Sequence, residues 1–285
     1  MLAAIIVSGL AIGAIYALIG ITYNVMYAAS RVMSFTSGQL GMLGGVFGAW
    51  FILRLGIPVL PGALLTLAAC ALVGVVTEIV AVRPVLASLE KHLYVLSTLA
   101  FALLIQQFVA IEWSTEPQPF PRLLRFGDAL IDQKFWLPLA ACAAVIVTLE
   151  FIYRRTLVGR AFLAIAEDGF AARALGLPER RLRMLSYALA GAIGGLAGFA
   201  GGELMLAFFA NGPLLSFYGF VPVALGGLGN NRGAIIGGLL LGLIGTFAAR
   251  LIVPAFPNAM MFLVLVAMLL IRPAGLLGNA WRARA

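Results

Sequence analysis

The sequence predicts an all-α, polytopic transmembrane bundle of eight or nine spans, and three observations carry that prediction. Hydrophobic residues make up 63% of the 285, charged residues only 11%, and the mean hydropathy is +1.07. Apolar runs of about 20 residues, the length that crosses a bilayer, recur along the chain. Polar tracts long enough for a separate soluble domain are missing, so residues 1–285 are expected to form a single membrane domain.

Breaks at charges and prolines place the spans near 3–28, 36–53, 59–82, 92–111, 135–153, 184–201, 213–228, 233–252 and 257–272. No basic stretch precedes Leu2 to Val7, and the apolar run continues past any cleavage point, so 3–28 is expected to be a span and not a removable signal peptide. The second span is short, glycine-rich and opens at Ser34-Phe35. The seventh, also short, contains Ser216-Phe217. With the fifth span as pivot, the four spans before it and the four after it run in opposite senses, which permits an inverted repeat. Paired short or glycine-interrupted spans in such repeats point to a substrate path, although two Ser-Phe dipeptides can also coincide by chance and either short span could be re-entrant. Glycines at close-packing spacing, such as Gly41 and Gly45, Gly194 and Gly198, and Gly238 and Gly242, predict tight helix crossings and say nothing of a substrate.

A net charge of +8 would suggest nucleic acid in a soluble protein, but here the cations stand at the ends of apolar spans. Positive-inside orientation explains them, and nucleic-acid binding is set aside. With the loop 154–183 inside, fourteen Lys and Arg fall on the inner face and five (Arg54, Arg122, Arg125, Lys134 and Arg250) outside. The N-terminus is therefore expected outside and the C-terminus inside.

The loop 154–183 is the longest polar segment and holds seven arginines against Glu167, Asp168 and Glu179. Within it a short helix has both ends marked: Asp168 as N-cap, Gly176 as left-handed stop and Pro178 as a bar to continuation. Two turns of helix are marginal alone in water and imply a supporting contact. Two readings are open: an ordinary basic cytoplasmic loop, or a coupling helix offering Phe170 and Leu175 beside Glu167 and Arg173 to a groove on a soluble partner.

The chemistry that is missing narrows the function. Lys91 and Lys134 follow Glu90 and Gln133, so neither completes a phosphate-binding loop, and this chain has no route of its own to ATP hydrolysis of that type. His92 is the lone histidine, Cys70 and Cys142 sit in apolar runs, and no nucleophile elbow or zinc motif occurs, so neither a catalytic nor a metal site is expected. Glu78, Glu150, Glu203 and Arg250 lie near span ends, within reach of water or head groups, while the mid-span polar residues, Asn24 among them, are uncharged. An uncharged passage driven by another subunit fits this pattern better than a proton-coupled carrier does. A stand-alone small-solute channel stays open beside it.

Several phrases in order, Gly13-Ala14-Ile15-Tyr16-Ala17-Leu18-Ile19, the run to Tyr27 and then Ser34 to Gly44, Arg83-Pro84, Gly159-Arg160-Ala161 through Gly176-Leu177-Pro178, Leu225 to Gly229, and Arg272 to Gly278, resemble the LivH-type permease subunit of branched-chain amino-acid ABC importers. The resemblance covers nearly the whole chain. It implies an importer of two permeases, this one and a similar second subunit, two ATPase subunits that carry ATP and magnesium, and a soluble periplasmic binding protein, all at the bacterial inner membrane. It also implies that this chain holds no cofactor, and that Glu167, Asp168, Phe170, Arg173, Gly176 and Pro178 form the transmission loop to the ATPase. The translocation path it suggests runs past Tyr16, Asn24, Tyr27, Ser34, Phe35, Thr36, Ser37, Gly38, Ser216, Tyr218, Gly226, Gly227 and Gly229. One departure bears on substrate: Ser34-Phe35-Thr36-Ser37-Gly38 stands where the family commonly shows Asn-Phe-Ala-His-Gly. Branched-chain amino acids are the default, with urea, short amides and aromatic or other carboxylates as alternatives.

Overall fold

The computed structural model describes residues 2–86, 93–113, 115–123, 132–251, 257–272 and 275. Lys91, His92, Arg125, Arg282, Arg284 and most of the closing 272–278 motif lie outside the described residues.

Helix α1 (Leu2–Ser30) is apolar all round, and from Ala14 to Met26 almost every side chain is buried. A helix without a polar face belongs at the centre of a bundle, and the others pack around this one. Ile15 lies against Gly201 of α8 (Glu179–Met205), Ile19 against Gly219 of α9 (Asn211–Gly226), and Gly13 against Gly238 and Leu239 of α10 (Asn231–Leu251). α1 stops at Arg31, whose φ of +56° turns the chain out of the helix.

α2 (Ser37–Ala49) is short, but a wide π-turn over Trp50–Arg54 extends it, which accounts for the predicted span 36–53. Leu40 rests on Gly194, Gly41 on Gly198 and Gly44 on Gly195, so α2 and α8 ascend side by side with their backbones nearly touching. A side chain at Gly198 would overlap the Gly41 carbonyl, which is the physical reason for glycine there.

α3 (Val59–Thr77) buries Gly62, Thr66, Cys70, Gly74 and Thr77 and exposes Leu60, Leu64 and Leu72. Its buried stripe meets Tyr187 and Gly191 of α8, and its exposed leucines form an apolar outer face. A second π-turn, Glu78–Val82, carries it on to Leu86. α4 (Leu93–Glu112) and α5 (Trp136–Arg155) follow. Two short helices, α6 (Leu157–Glu167) and α7 (Gly169–Ala174), lead into α8, and α11 (Pro257–Ile271) ends the bundle.

Each of the nine predicted spans coincides with one of these helices. Six helices among the described residues are long and apolar enough to cross a membrane, while α2, α9 and α11, at 13, 16 and 15 residues, are shorter. One expectation fails: Glu78 does not reach water or head groups. Its side chain is fully buried, held between Arg83 and Arg183. The reason is local geometry: a π-turn closes on residues five apart and brings Arg83 back over Glu78.

Candidate functional site

The two short helices meet each other. Ser216 in α9 accepts a hydrogen bond at Oγ from Gly38 N (3.1 Å) and donates one from Oγ to Phe35 O (3.0 Å). Tyr23 OH donates to Ser216 O at 3.1 Å, so α1 closes the third side. The bend from α1 into α2 is held by its own hydroxyls: Ser34 Oγ and Thr36 Oγ1 stand 2.7 Å apart, and Ser37 Oγ donates to Ser34 O at 3.1 Å. A Cβ on Gly38 would overlap Ser216 N and Gly212 O, so this crossing admits only glycine at position 38. Tyr23, Phe35 and Phe220 form an aromatic wall with centroids 6.4 Å apart pairwise.

The remaining path residues form two further groups. Asn24 Oδ1 accepts from Gly229 N at 2.9 Å, fixing the turn between α9 and α10, where Gly227 and Gly229 have φ of +95° and +80°. Gly226 packs on Gly233 across that turn, and the ring of Tyr27 lies beside Gly229 and under the Arg31 guanidinium. Tyr16 and Tyr218 face each other on α1 and α9 with ring centroids 4.9 Å apart. The thirteen predicted path positions thus fall in three groups, at the α2–α9 crossing, at the α9–α10 turn and at the Tyr16–Tyr218 contact. Tyr23, which donates to Ser216 O, and the buried Gln39 border the crossing and are not among the thirteen, since tyrosine and glutamine in an apolar run read as ordinary packing.

The loop 154–183 is more structured than its composition suggests. Thr156 caps α6 by accepting from Gly159 N at 3.0 Å, and Phe162 and Ile165 on the buried side of α6 pack with Ala172 and Leu182. Asp168 caps α7: its Oδ1 accepts from Phe170 N (2.8 Å) and Ala171 N (3.0 Å). α7 ends as its residues demand, with Gly176 at φ +80° and Leu177 N donating back to Ala172 O at 3.1 Å. Pro178 then accepts from Arg181 N and Leu182 N and so starts α8. Phe170 and Leu175 stand 76% and 82% exposed, pointing away from the bundle.

A chain of ion pairs links this loop to the bundle interior. Arg173 Nε lies 3.5 Å from Glu179, Arg183 Nη1 lies 3.6 Å from Glu179, and Arg183 Nε donates to Glu78 at 2.8 Å. Arg83 Nη2 completes the chain at 2.6 Å from the other Glu78 oxygen. On the other side Arg31, at the foot of α1, donates to Ala166 O, two residues before the Asp168 cap. Glu78, Arg183 and Arg31, which tie this loop to the bundle, are residues that sequence reasoning places with ordinary span ends and basic loops. The available signal is a carboxylate inside a valine-rich span with arginine five residues on.

A bundle that is all-helical among the described residues, with a hydroxyl- and glycine-lined crossing of two short helices and a capped helix projecting from one end, has the architecture of a polytopic membrane protein. The family model for the branched-chain amino acid transport system permease component matches residues 5–271, and the chain belongs to that family. It is 26% identical to the high-affinity branched-chain amino acid transport system permease protein BraD of Pseudomonas aeruginosa, with 96% of this chain and 95% of that protein covered. It is also 26% identical to the corresponding permease protein LivH of Escherichia coli strain K12, covering 95% and 94%. Its fold matches a chain of PsaBC from Streptococcus pneumoniae, solved in complex with Fab, with a TM-score of 0.54 at 14% identity, over all of this chain and 95% of the other.

Proposed function

We propose that this chain is one of two permease subunits of an ABC importer that moves branched-chain or related amino acids across the bacterial inner membrane by alternating access. The observation that carries the proposal, beside the family membership, is α7: a capped helix with bare Phe170 and Leu175 at its surface and an ion-pair chain at its back. An exposed aromatic on a rigid short helix suits a groove on a soluble subunit. Here that subunit is the ATPase, which carries ATP and magnesium. Glu167, Asp168, Phe170, Arg173, Gly176 and Pro178 make this contact or shape it.

ATP-driven closure of the two ATPases would shift α7. Because α7 and α6 share the Phe162–Ala172–Leu182 cluster, and Arg31 and Arg183 tie them to α1, α8 and α3, that shift reaches the bundle as rigid-body motion. The glycine-lined crossings of α2, α8 and α9 are where helices rock with little steric cost. A second, similar permease would cover part of the exposed apolar face, and a periplasmic binding protein would deliver substrate. The N-terminus is assigned to the periplasmic side.

The test is reconstitution of this chain with its partner permease, ATPases and binding protein in proteoliposomes. Binding-protein-stimulated ATP hydrolysis with leucine uptake supports the reading. Stimulated hydrolysis with uptake of urea or a short amide in place of leucine keeps the importer and replaces the substrate. Uptake by this chain alone, indifferent to ATP, overturns it in favour of a channel.

A further inference from the structure

Pro117, Pro119 and Pro121 bar the segment 115–123 from helix, and it crosses the bundle as a strap. It does so at the end opposite α7. α8 begins at Glu179, just after α7, and Gly202 and Glu203, which the strap touches, lie roughly 35 Å further along it.

Three contacts seat the strap. Gln118 N donates to Ala207 O at 2.9 Å and Ala207 N donates to Gln118 O at 3.0 Å, an isolated antiparallel bridge onto the link between α8 and α9. Leu123 N donates to Glu203 Oε1 at 2.7 Å. Between these two, Phe120 is 8% exposed, its ring set in a notch made by Gly48 of α2 and Gly202 of α8 and edge-on to Phe199 at 5.6 Å. A Cβ at either glycine would meet that ring. The strap therefore fastens α2, α8 and the lead into α9 to one another, and α2 and α9 are the helices that cross at Gly38 and Ser216.

The link it grips is strained. Leu206 has φ +60° and ψ 163°, a backbone region essentially reserved for glycine. Asn211 Nδ2 holds the turn by donating to Met205 O at 3.1 Å and to Leu206 O at 3.0 Å, and the Gln118 bridge holds the next residue. Strain between two helices, kept in place by contacts that can part, is the composition of a hinge with two positions.

We infer that the 115–123 strap is a latch on the α2–α9 crossing. Seated, it closes the path at the end opposite α7; when Phe120 leaves its notch and the Gln118–Ala207 bridge parts, Leu206 relaxes and α9 swings away from α2. The inference rests on the proposed importer function and adds Phe120, Glu203 and Leu206 to it as positioning residues, although none of them is among the predicted path positions.

The experiment uses the complete reconstituted complex carrying Gln118→Cys with Ala207→Cys, and follows labelled leucine. Residues that exchange both backbone bonds in an antiparallel pair have Cα atoms about 5.5 Å apart, within disulfide range, so oxidation locks the seated strap without bending it. Oxidation is expected to abolish ATP-driven uptake and a reductant to restore it, with both single-cysteine complexes unaffected. The rate of cross-linking should also differ between the nucleotide-free complex and one trapped with a non-hydrolysable ATP analogue. Leu206→Gly relieves the strain of the seated form, so it should even out the two cross-linking rates and lower uptake, whereas a merely structural link would gain stability and keep uptake. Cross-linked complexes that transport at the wild-type rate, or a cysteine pair that cross-links in neither nucleotide state, overturn the latch and leave the importer standing. Wild-type uptake indifferent to ATP overturns the importer reading, and the latch with it.

Discussion

Gly38 donates its backbone N–H to Ser216 Oγ across 3.1 Å, joining two short helices that lie 178 residues apart in the chain. The bond is buried, and the same hydroxyl also serves Phe35 O. Ser216→Ala removes both partners at once and should destabilise the bundle by about 1–3 kcal/mol, the range for leaving buried backbone groups unpaired. Gly38→Ala should cost more, because the added carbon meets the α9 backbone, which has no rotamer by which to yield. Thermal unfolding of the detergent-purified chain measures both, and an alanine at 38 milder than an alanine at 216 would contradict the packing argument.

Glu78 is the carboxylate on which the interior charge balance turns. Glu78→Gln leaves Arg183, 10% exposed at its side chain, without its close partner, and breaking one side of a buried pair costs about 3–5 kcal/mol. The expected outcome is a sharp loss of folded protein in the membrane. In Glu78→Gln combined with Arg183→Met, most of the loss should return, since the more deeply buried unpaired charge is gone and Arg83, a quarter exposed, reaches solvent. A double variant as damaged as the single one would mean that the pair is needed for more than charge compensation.

How far this could be read beforehand differs between elements. Hydropathy places nine helices, six of them long and apolar enough to cross a membrane, because such a helix advertises itself by length and composition alone. The ends of α7 are legible for a similar reason: Asp168, Gly176 and Pro178 act on their own neighbours, and local chemistry needs no tertiary knowledge. The pairing of Ser34-Phe35 with Ser216-Phe217 is visible as a repeated dipeptide, but that the two segments touch is a matter of how α2 and α9 pack. Glu78 lies beyond sequence reasoning because its burial depends on Arg183, 105 residues away, and on a π-turn that apolar periodicity does not announce. α6 is hidden differently: three arginines at 154, 155 and 160 give its segment a loop-like charge, while Phe162 and Ile165 carry the helical side that packs inward.

Asn24 and Gly229 give a third test. Gly229 holds φ at +80° and donates its N–H to Asn24 Oδ1 at 2.9 Å, so the α9–α10 turn is tied to α1 by one bond. Asn24→Leu keeps the branched shape and removes the acceptor, which should cost about 1–3 kcal/mol or more. Gly229→Ala acts through backbone conformation, and its cost of about 1–2 kcal/mol should add to the first only in part, since both loosen the same turn. Hydrogen exchange at residues 226–233 should rise in each variant.

The coupling assignment is tested where stability and function separate. Phe170 is 76% exposed and makes no cluster in the bundle, so Phe170→Ala should leave insertion and unfolding temperature unchanged. If α7 seats in the ATPase, losing an aromatic anchor should weaken that contact by about 2 kcal/mol or more, the size of an interface hot spot. Asp168→Arg acts otherwise: it deletes a cap that satisfies two backbone donors and puts a cation at the positive end of α7, so the helix itself frays. Co-purification of the ATPase should therefore fall in both variants, while protease cutting near 168–175 should increase only in Asp168→Arg. Full ATPase retention and normal uptake by Phe170→Ala would remove α7 from the coupling interface, whatever the effect at Asp168, because the second variant disturbs a fold and the first disturbs only a surface.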